Sequence, residues 1–272
     1  MELPTASEKA FLSQTELAFF EREGYLGPFS LVAPQDVDSV AARLRKEFFP
    51  RRWRRWLRRA VDSVRRNAPT RWYKGGHISA PQIFVFAVSP AILDRVESLI
   101  GPDILLWGSV LIDKSPGDDH GWHADVEHFE WEGVTVWIGL TGVTPLSSIS
   151  VITRSHKFDD YPQKLMLETG LDQHSDEAVL KAAQAIDPEC RLLHLDTKPG
   201  EFIIFAGRGW HEARNKSTGV RTSVVFQYSK PSEKTRIPLT YSPPVVWHAS
   251  PPPCCLVRGK DTSGINLVVP HP

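Results

Sequence analysis

The sequence predicts a mainly β domain, a sandwich or barrel, flanked by helices at its N-terminal end. Three observations carry this. From Asp103 onward, short runs rich in β-branched and aromatic residues recur between Gly/Pro turns: Ile104–Ile112, Thr135–Val143, Ser148–Thr153, Arg191–Leu195, Glu201–Phe205 and Val220–Tyr228. Before them, the apolar residues fall at helical spacing behind capping signals. The chain of 272 residues is 41% hydrophobic, enough for one large domain with a real core.

The elements follow in order. Ser13-Gln14-Thr15-Glu16 reads as a capping box ahead of Leu17, Phe19 and Phe20, and Gly24 stops that helix. Pro34 opens a second, with Val37, Val40, Ala41 and Leu44 on one face. Residues 43–72 carry a run of arginines against only Glu47 and Asp62. Trp53, Trp56, Leu57, Ala60, Val61 and Val64 recur every three to four residues there, so 43–66 is expected to be an amphipathic helix with one strongly cationic face. A solvated helix explains that face; so does a docking surface for an anionic carrier, either coenzyme A or an acidic carrier protein. Gln82–Val88 reads as a strand. Ser89-Pro90 starts a helix that runs to Ile100 and ends at Gly101.

Residues 1–102 therefore form a helical and strand support, and 103–228 the β core. Residues 159–190 interrupt the strands with one expected helix, Ser175–Ala185, and read as a lid over the mouth. Residues 229–272 are proline-rich but still apolar, a tail wrapped on the domain.

Formal net charge is +0, so no global bias toward nucleic acid exists and none is expected as a partner. Cys190, Cys254 and Cys255 are too few and too badly spaced for a disulfide framework, which points to a reducing compartment. No basic stretch followed by an apolar run opens the sequence, and no apolar stretch approaches a membrane span. The cytoplasm is the expected location.

The chemistry concentrates at Gly121-Trp122-His123-Ala124-Asp125. In a strand, residues i and i+2 share a face, so His123 and Asp125 project together. One imidazole and one carboxylate are two of the three ligands of the facial triad that holds non-haem iron with open positions. The best second imidazole is His211, after the apolar run Phe202–Phe205. Arg221 follows ten residues later at the head of another strand, a fixed cation suited to a dicarboxylate beside the metal. His120-x-x-His123 with Asp118 and Asp119 offers an alternative zinc set, but no cysteine lies nearby to complete it. His128 and the surrounding aromatics are candidate pocket-lining residues.

This arrangement resembles the phytanoyl-CoA dioxygenase-like family of iron(II)/2-oxoglutarate-dependent dioxygenases, from about Leu12 to about Tyr228. The likeness is strongest at Gly121–Asp125, Val136–Leu140, Arg154-Ser155-His156-Lys157 and His211–Ser223. It implies a double-stranded β-helix (a cupin-like jelly roll) with an N-terminal helical buttress. It also implies Fe(II) on His123, Asp125 and His211, with 2-oxoglutarate and O2 as co-substrates and ascorbate as an optional reductant. Arg221 and Ser223 would then bind 2-oxoglutarate, and Trp137, Tyr73, Lys74 and His77 join His128 as substrate-pocket candidates. Arg154 stands where the family usually has Gly, and Pro145–Ser148 lacks its usual Asn-Gly turn.

The implied activity is oxidation of an unactivated C–H bond of a small molecule, most often hydroxylation, in a biosynthetic tailoring step that releases succinate and CO2. Desaturation, epoxidation and cyclisation use the same triad, and a substrate bound to coenzyme A or a carrier protein is compatible with it. Halogenation is disfavoured, because related halogenases lack the carboxylate that Asp125 supplies. Two further classes compete: a non-catalytic barrel that only binds, and a cupin-like metal enzyme that needs neither 2-oxoglutarate nor Arg221.

Overall fold

The computed structural model describes residues 10–49, 70–118, 120–126, 131–235 and 252–272. Helix α1 (Gln14–Glu23) starts on the Ser13–Glu16 capping box and ends on Gly24 at φ 85°. Strand β1 (Tyr25–Ser30) and helix α2 (Val37–Phe48) follow. The basic helix expected beyond Phe48 lies outside the described residues as far as residue 69. Then come β2 (Arg71–Lys74), α3 (Gly76–Ser79), α4 (Pro81–Ala87) and α5 (Pro90–Ile100).

Residues 82–88 were expected as a strand, and α4 corrects this. Pro81 at its first turn is preorganised for a helix, and Ile83, Phe86 and Ala87 bury one helical face. A short apolar run cannot separate a strand from a buried helix by periodicity alone.

The β core comprises β3 (Ile104–Lys114), β4 (Gly133–Thr141), β5 (Ser150–Ile152), β6 (Leu192–His194), β7 (Glu201–Ala206), β8 (His211–Glu212) and β9 (Arg221–Ser229). Between β5 and β6 lie two helices where one was expected, α6 (Pro162–Thr169) and α7 (Asp176–Ile186). Strands β10 (Pro253–Arg258) and β11 (Leu267–Val268) complete the described chain.

The large sheet has the order β1-β7-β4-β9-β3-β10-β11, and the small one β6-β5-β8. Strands β2 and β10 share one edge of β3: β10 pairs with Ile104–Leu106 and β2 with Val110–Asp113. Both faces of the large sheet are covered. Val134, Val136, Ile138 and Leu140 of β4 pack with α2, α4 and α5 in the main core. Trp137, Ile203 and Phe205 face the other way, into a second cluster between the sheets. That double burial explains why these strands read as continuous apolar runs and not as alternating ones.

Two of the arginines from the cationic run have a defined structural role. Arg45 Nε lies 3.0 Å from the buried carboxylate of Asp113, and Arg71 bonds the same oxygen. Thr222 Oγ1 donates to the other oxygen at 2.8 Å. Arg154, the unusual residue at the family's Gly position, takes φ 67° and keeps the turn. Its guanidinium ties Asp187 at 2.5 Å and Glu189 at 2.7 Å, anchoring the far end of the insert. His156 is structural in this turn, with Nε2 at 3.2 Å from the Glu21 carbonyl.

Candidate active site

Two identical tripeptides build the site. Gly121-Trp122-His123 and Gly209-Trp210-His211 lie antiparallel, and His123 and His211 exchange backbone hydrogen bonds at 2.9 Å in both directions. Residues paired this way put their side chains on one face, so the two imidazoles stand 4.2 Å apart, centroid to centroid. In each tripeptide the imidazole Nδ1 lies 2.9 Å from the carbonyl oxygen of its own glycine. A carbonyl only accepts, so Nδ1 carries the proton and Nε2 presents a lone pair. Burial is the main reason that His123 stays neutral well below the usual imidazole range, with His211 reinforcing it.

Asp125 completes the cluster. Its Oδ1 is 3.9 Å from His123 Nε2 and 3.7 Å from His211 Nε2. Its Oδ2 accepts a 2.6 Å hydrogen bond from Thr135 Oγ1 of β4, which leaves Oδ1 turned toward the imidazoles. The three ligand atoms lie within 4.8 Å of one another, and this is the only such cluster among the described residues. Two neutral imidazoles and one carboxylate on one side are a donor set suited to iron(II) with positions left open. His120, the alternative zinc ligand, stacks edge-on against His123 at 4.4 Å and does not join the cluster.

The tryptophans point the other way. Trp122 and Trp210 are fully buried in a cluster with Val179 and Ala183 of the insert and with Phe158 just before it. Trp122 Nε1 donates to Asp176 at 2.9 Å, and Trp210 Nε1 to the Asp160 carbonyl at 3.0 Å. The insert also grips the motif's backbone. Gln163 of α6 accepts from Ala124 N at 3.0 Å and donates to Ala124 O at 2.8 Å, while Trp122 N donates to Gln173 O at 2.8 Å. Residues 159–190, expected as a lid, thus also brace the His-x-Asp turn.

Arg221 and Ser223 share the inward face of β9 with Trp137 of β4; the guanidinium carbon sits 5.4 Å from the Trp137 ring centroid. Arg221 is completely buried. One of its terminal nitrogens donates to Ser147 O at 2.6 Å and Ala213 O at 3.2 Å. Its Nε and Nη2, with Ser223 Oγ and Trp137 Nε1, are buried and have no hydrogen-bond partner. Orphaned buried donors are costly, and a cluster of them indicates a missing acceptor. A planar carboxylate against Nε and Nη2 fits that vacancy in donor chemistry.

Of the remaining candidates, Lys74 lies on the inward side of β2, and burial lowers its ammonium to about 8. Tyr73 alternates to the opposite side, where it packs on Phe48 at 4.5 Å and its hydroxyl meets Ser79 at 3.1 Å. His77 is buried between Ser109 Oγ at 2.9 Å and Pro253 O at 3.1 Å, occupied in joining α3 to β3 and β10. Neither is thus at the mouth where it was expected. His128 lies outside the described residues.

Sequence reasoning missed two others. Trp72 is 40% exposed beside His120 at 5.7 Å, flanked by the ammonium groups of Lys74 and Lys114, each 5.6 Å from its ring. Lys114 ends β3 on the inward side. Strand parity was the available signal: Trp72 and Lys74 alternate with Tyr73, and Lys114 with Asp113.

A jelly roll with this donor set and a buried arginine one strand beyond it defines the class of non-haem iron(II)/2-oxoglutarate-dependent dioxygenases. Known structures share the fold. CytC3 with Fe(II) and alpha-ketoglutarate aligns at a TM-score of 0.61 and 20% identity, covering 96% of this chain and 94% of that one. EctD from S. alaskensis with bound Fe aligns at 0.62 and 17%, covering 87% and 86%. The carbocyclase SnoK from nogalamycin biosynthesis aligns at 0.56 and 17%, covering 88% and 91%. In sequence, the peroxisomal phytanoyl-CoA dioxygenase of Bos taurus is 25% identical over 250 residues, 82% of this chain and 70% of that protein. The phytanoyl-CoA dioxygenase (PhyH) family model matches residues 20–223, and the chain belongs to that family. Among the similar structures, CytC3 holds Fe(II) and alpha-ketoglutarate, and HygX from Streptomyces hygroscopicus holds nickel and 2-oxoglutarate.

No helix among the described residues is long and apolar enough to cross a membrane.

Proposed function

We propose that this enzyme oxidises an unactivated C–H bond of a small molecule, by hydroxylation in the first instance, in a biosynthetic tailoring step that yields succinate and CO2. The observation that carries this reading is the set of orphaned donors around Arg221 beside the His–Asp–His cluster. His123, Asp125 and His211 hold the iron. Thr135 keeps the second carboxylate oxygen occupied, so that Asp125 offers one oxygen to the metal. Arg221 and Ser223 take the distal carboxylate of 2-oxoglutarate, and Trp137 walls the same pocket. When bound, iron and 2-oxoglutarate supply the oxidising power; the chain's part is to orient one C–H bond and exclude competing ones.

A second outcome, ring formation or another oxidation with the same ligands, is favoured by one observation: the structural relatives include a carbocyclase and an epimerase as well as a monooxygenase. A thioester substrate draws support from the name of the bovine relative, a dioxygenase of a coenzyme A ester.

The test is anaerobic titration of the apoprotein with Fe(II) and then 2-oxoglutarate, followed by visible absorbance. A charge-transfer band that is absent in Asp125→Ala and weakened in Arg221→Met supports the assignment. Iron binding without the band refutes the 2-oxoglutarate pocket. Succinate release then screens substrates, with product mass separating hydroxylation from cyclisation or desaturation.

A further inference from the structure

Lys114 stands directly opposite Arg221 in the β3–β9 ladder. Opposed residues project to the same face with Cβ atoms about 4.5–5.5 Å apart, and like charges in that relation repel. Here both are buried, with Lys114 1% and Arg221 0% exposed. Burial, reinforced by the Arg221 charge, lowers the Lys114 ammonium to about 8.

Among the described residues one acid makes a direct ion pair with either cation: Asp118 Oδ1 lies 3.0 Å from Lys114 Nζ. Asp118 engages one of the three ammonium protons at most, which leaves the others for a further acceptor. The next acid, Glu212, is engaged by Ser150 Oγ at 2.9 Å and by Arg214 Nε at 2.8 Å. Among the described residues the facing pair thus has one direct acid contact, in the same place where Arg221 has two unpartnered nitrogens.

We propose that Lys114 and Arg221 form a two-cation clamp on the distal carboxylate of 2-oxoglutarate. The inference rests on the reading of Arg221 given above and adds a residue to it. A single carboxylate between the two side chains replaces a repulsion with two charge-assisted contacts. Arginine fixes the plane of the carboxylate, and lysine adds a point charge from the side. The clamp also selects for length: a 2-oxo acid without the second carboxylate leaves both cations facing each other.

The experiment is calorimetric titration of the full chain, loaded anaerobically with Fe(II), with two ligands. One is 2-oxoglutarate; the other is 2-oxobutyrate, which keeps the 2-oxo acid end and lacks the distal carboxylate. In Lys114→Met, affinity for 2-oxoglutarate is expected to fall ~10–100-fold, the loss typical of a charge-assisted contact, while 2-oxobutyrate binds as in the wild type. Lys114→Arg is expected to keep most of the 2-oxoglutarate affinity. Removing the buried ammonium also relieves the repulsion, so ligand-free Lys114→Met is expected to melt no lower than the wild type. A residue with a merely structural role would lower that melting point.

Unchanged 2-oxoglutarate affinity in Lys114→Met overturns the clamp, and so does an equal loss for both ligands. Should Lys114→Met not fold, Lys114→Gln carries the same comparison. A wild-type protein that does not prefer 2-oxoglutarate over 2-oxobutyrate overturns the reading of Arg221 itself, and the clamp with it.

Discussion

Replacing Gln163 by methionine tests whether the insert braces the metal-binding turn. The side chain is buried, 4% exposed, and both of its polar atoms bond the backbone of Ala124, the residue between His123 and Asp125. Methionine matches its length and removes both partners. Ala124 is itself buried at 3% exposed, so its N–H and C=O lose water as well as glutamine. Each unsatisfied buried group costs about 1–3 kcal/mol, or about 2–6 kcal/mol for the pair. At about 2–4 °C per kcal/mol for a domain of this size, the melting point falls by about 4–24 °C. The turn that spaces His123 from Asp125 loosens at the same time, so Fe(II) affinity falls as well. Thermal melting by circular dichroism reads the first effect and anaerobic Fe(II) titration the second. Gln163→Glu supplies a graded control: it keeps an acceptor for Ala124 N–H and loses the donor to Ala124 O. A melting point within about 1 °C of wild type, with unchanged iron affinity, would refute the brace and restore the picture of a loosely attached lid.

Thr135→Val removes the hydrogen bond to Asp125 Oδ2 and is expected to weaken Fe(II) binding ~10–100-fold without unfolding the protein, as measured by competition with a chelator. Arg221→Met is expected to leave Fe(II) binding intact while 2-oxoglutarate affinity drops by about 100-fold or more in calorimetry. Lys114 titrates near 8 in the folded chain and near 10.5 in the unfolded one. Between those values the unfolded state holds the extra proton, so this group makes stability rise with pH. Denaturant melts from pH 8 to about 10 should show a shallower rise in Lys114→Met than in wild type. All three cysteines are buried, and desolvation raises each thiol to about 11. A thiol reagent should therefore modify the native protein slowly and the denatured protein at once.

Part of the site was legible from strand parity, since Arg221 and Ser223 share a face at i and i+2 on β9. His123 and Asp125 were expected on a strand; they lie on an isolated bridge and the bend after it, and converge through that turn. The long-range partner, His211, was found by its position at the end of an apolar run. Helices α1 and α5 were legible from Ser13, Gly24, Pro90 and Gly101, whose backbone preferences are local. What failed depended on tertiary context. Residues 82–88 have the composition of a strand but bury a helical face under the sheet. Gln163 looks like any polar residue on a short helix, and only the approach of α6 to Ala124 gives it a role. Tyr73 and Lys74 are neighbours in sequence, yet the pleat sends them to opposite sides of the sheet. The insert's two helices could not be read as a brace, because their partners Trp122 and Trp210 are distant in the chain.

The backbone bridge between His123 and His211 also fixes when the site can exist. Its two halves leave the ribosome far apart in time, and β4, β5, the insert and β7 are made in between. His123 and Asp125 emerge before the strand that pairs with them. Metal captured by the nascent chain at that stage would meet two ligands and an open loop. The complete donor set forms only when the second Gly-Trp-His folds back and the insert closes over both indoles. The three side chains therefore belong to a contact between two distant stretches of chain, and the cluster is complete only where the scaffold has set their register.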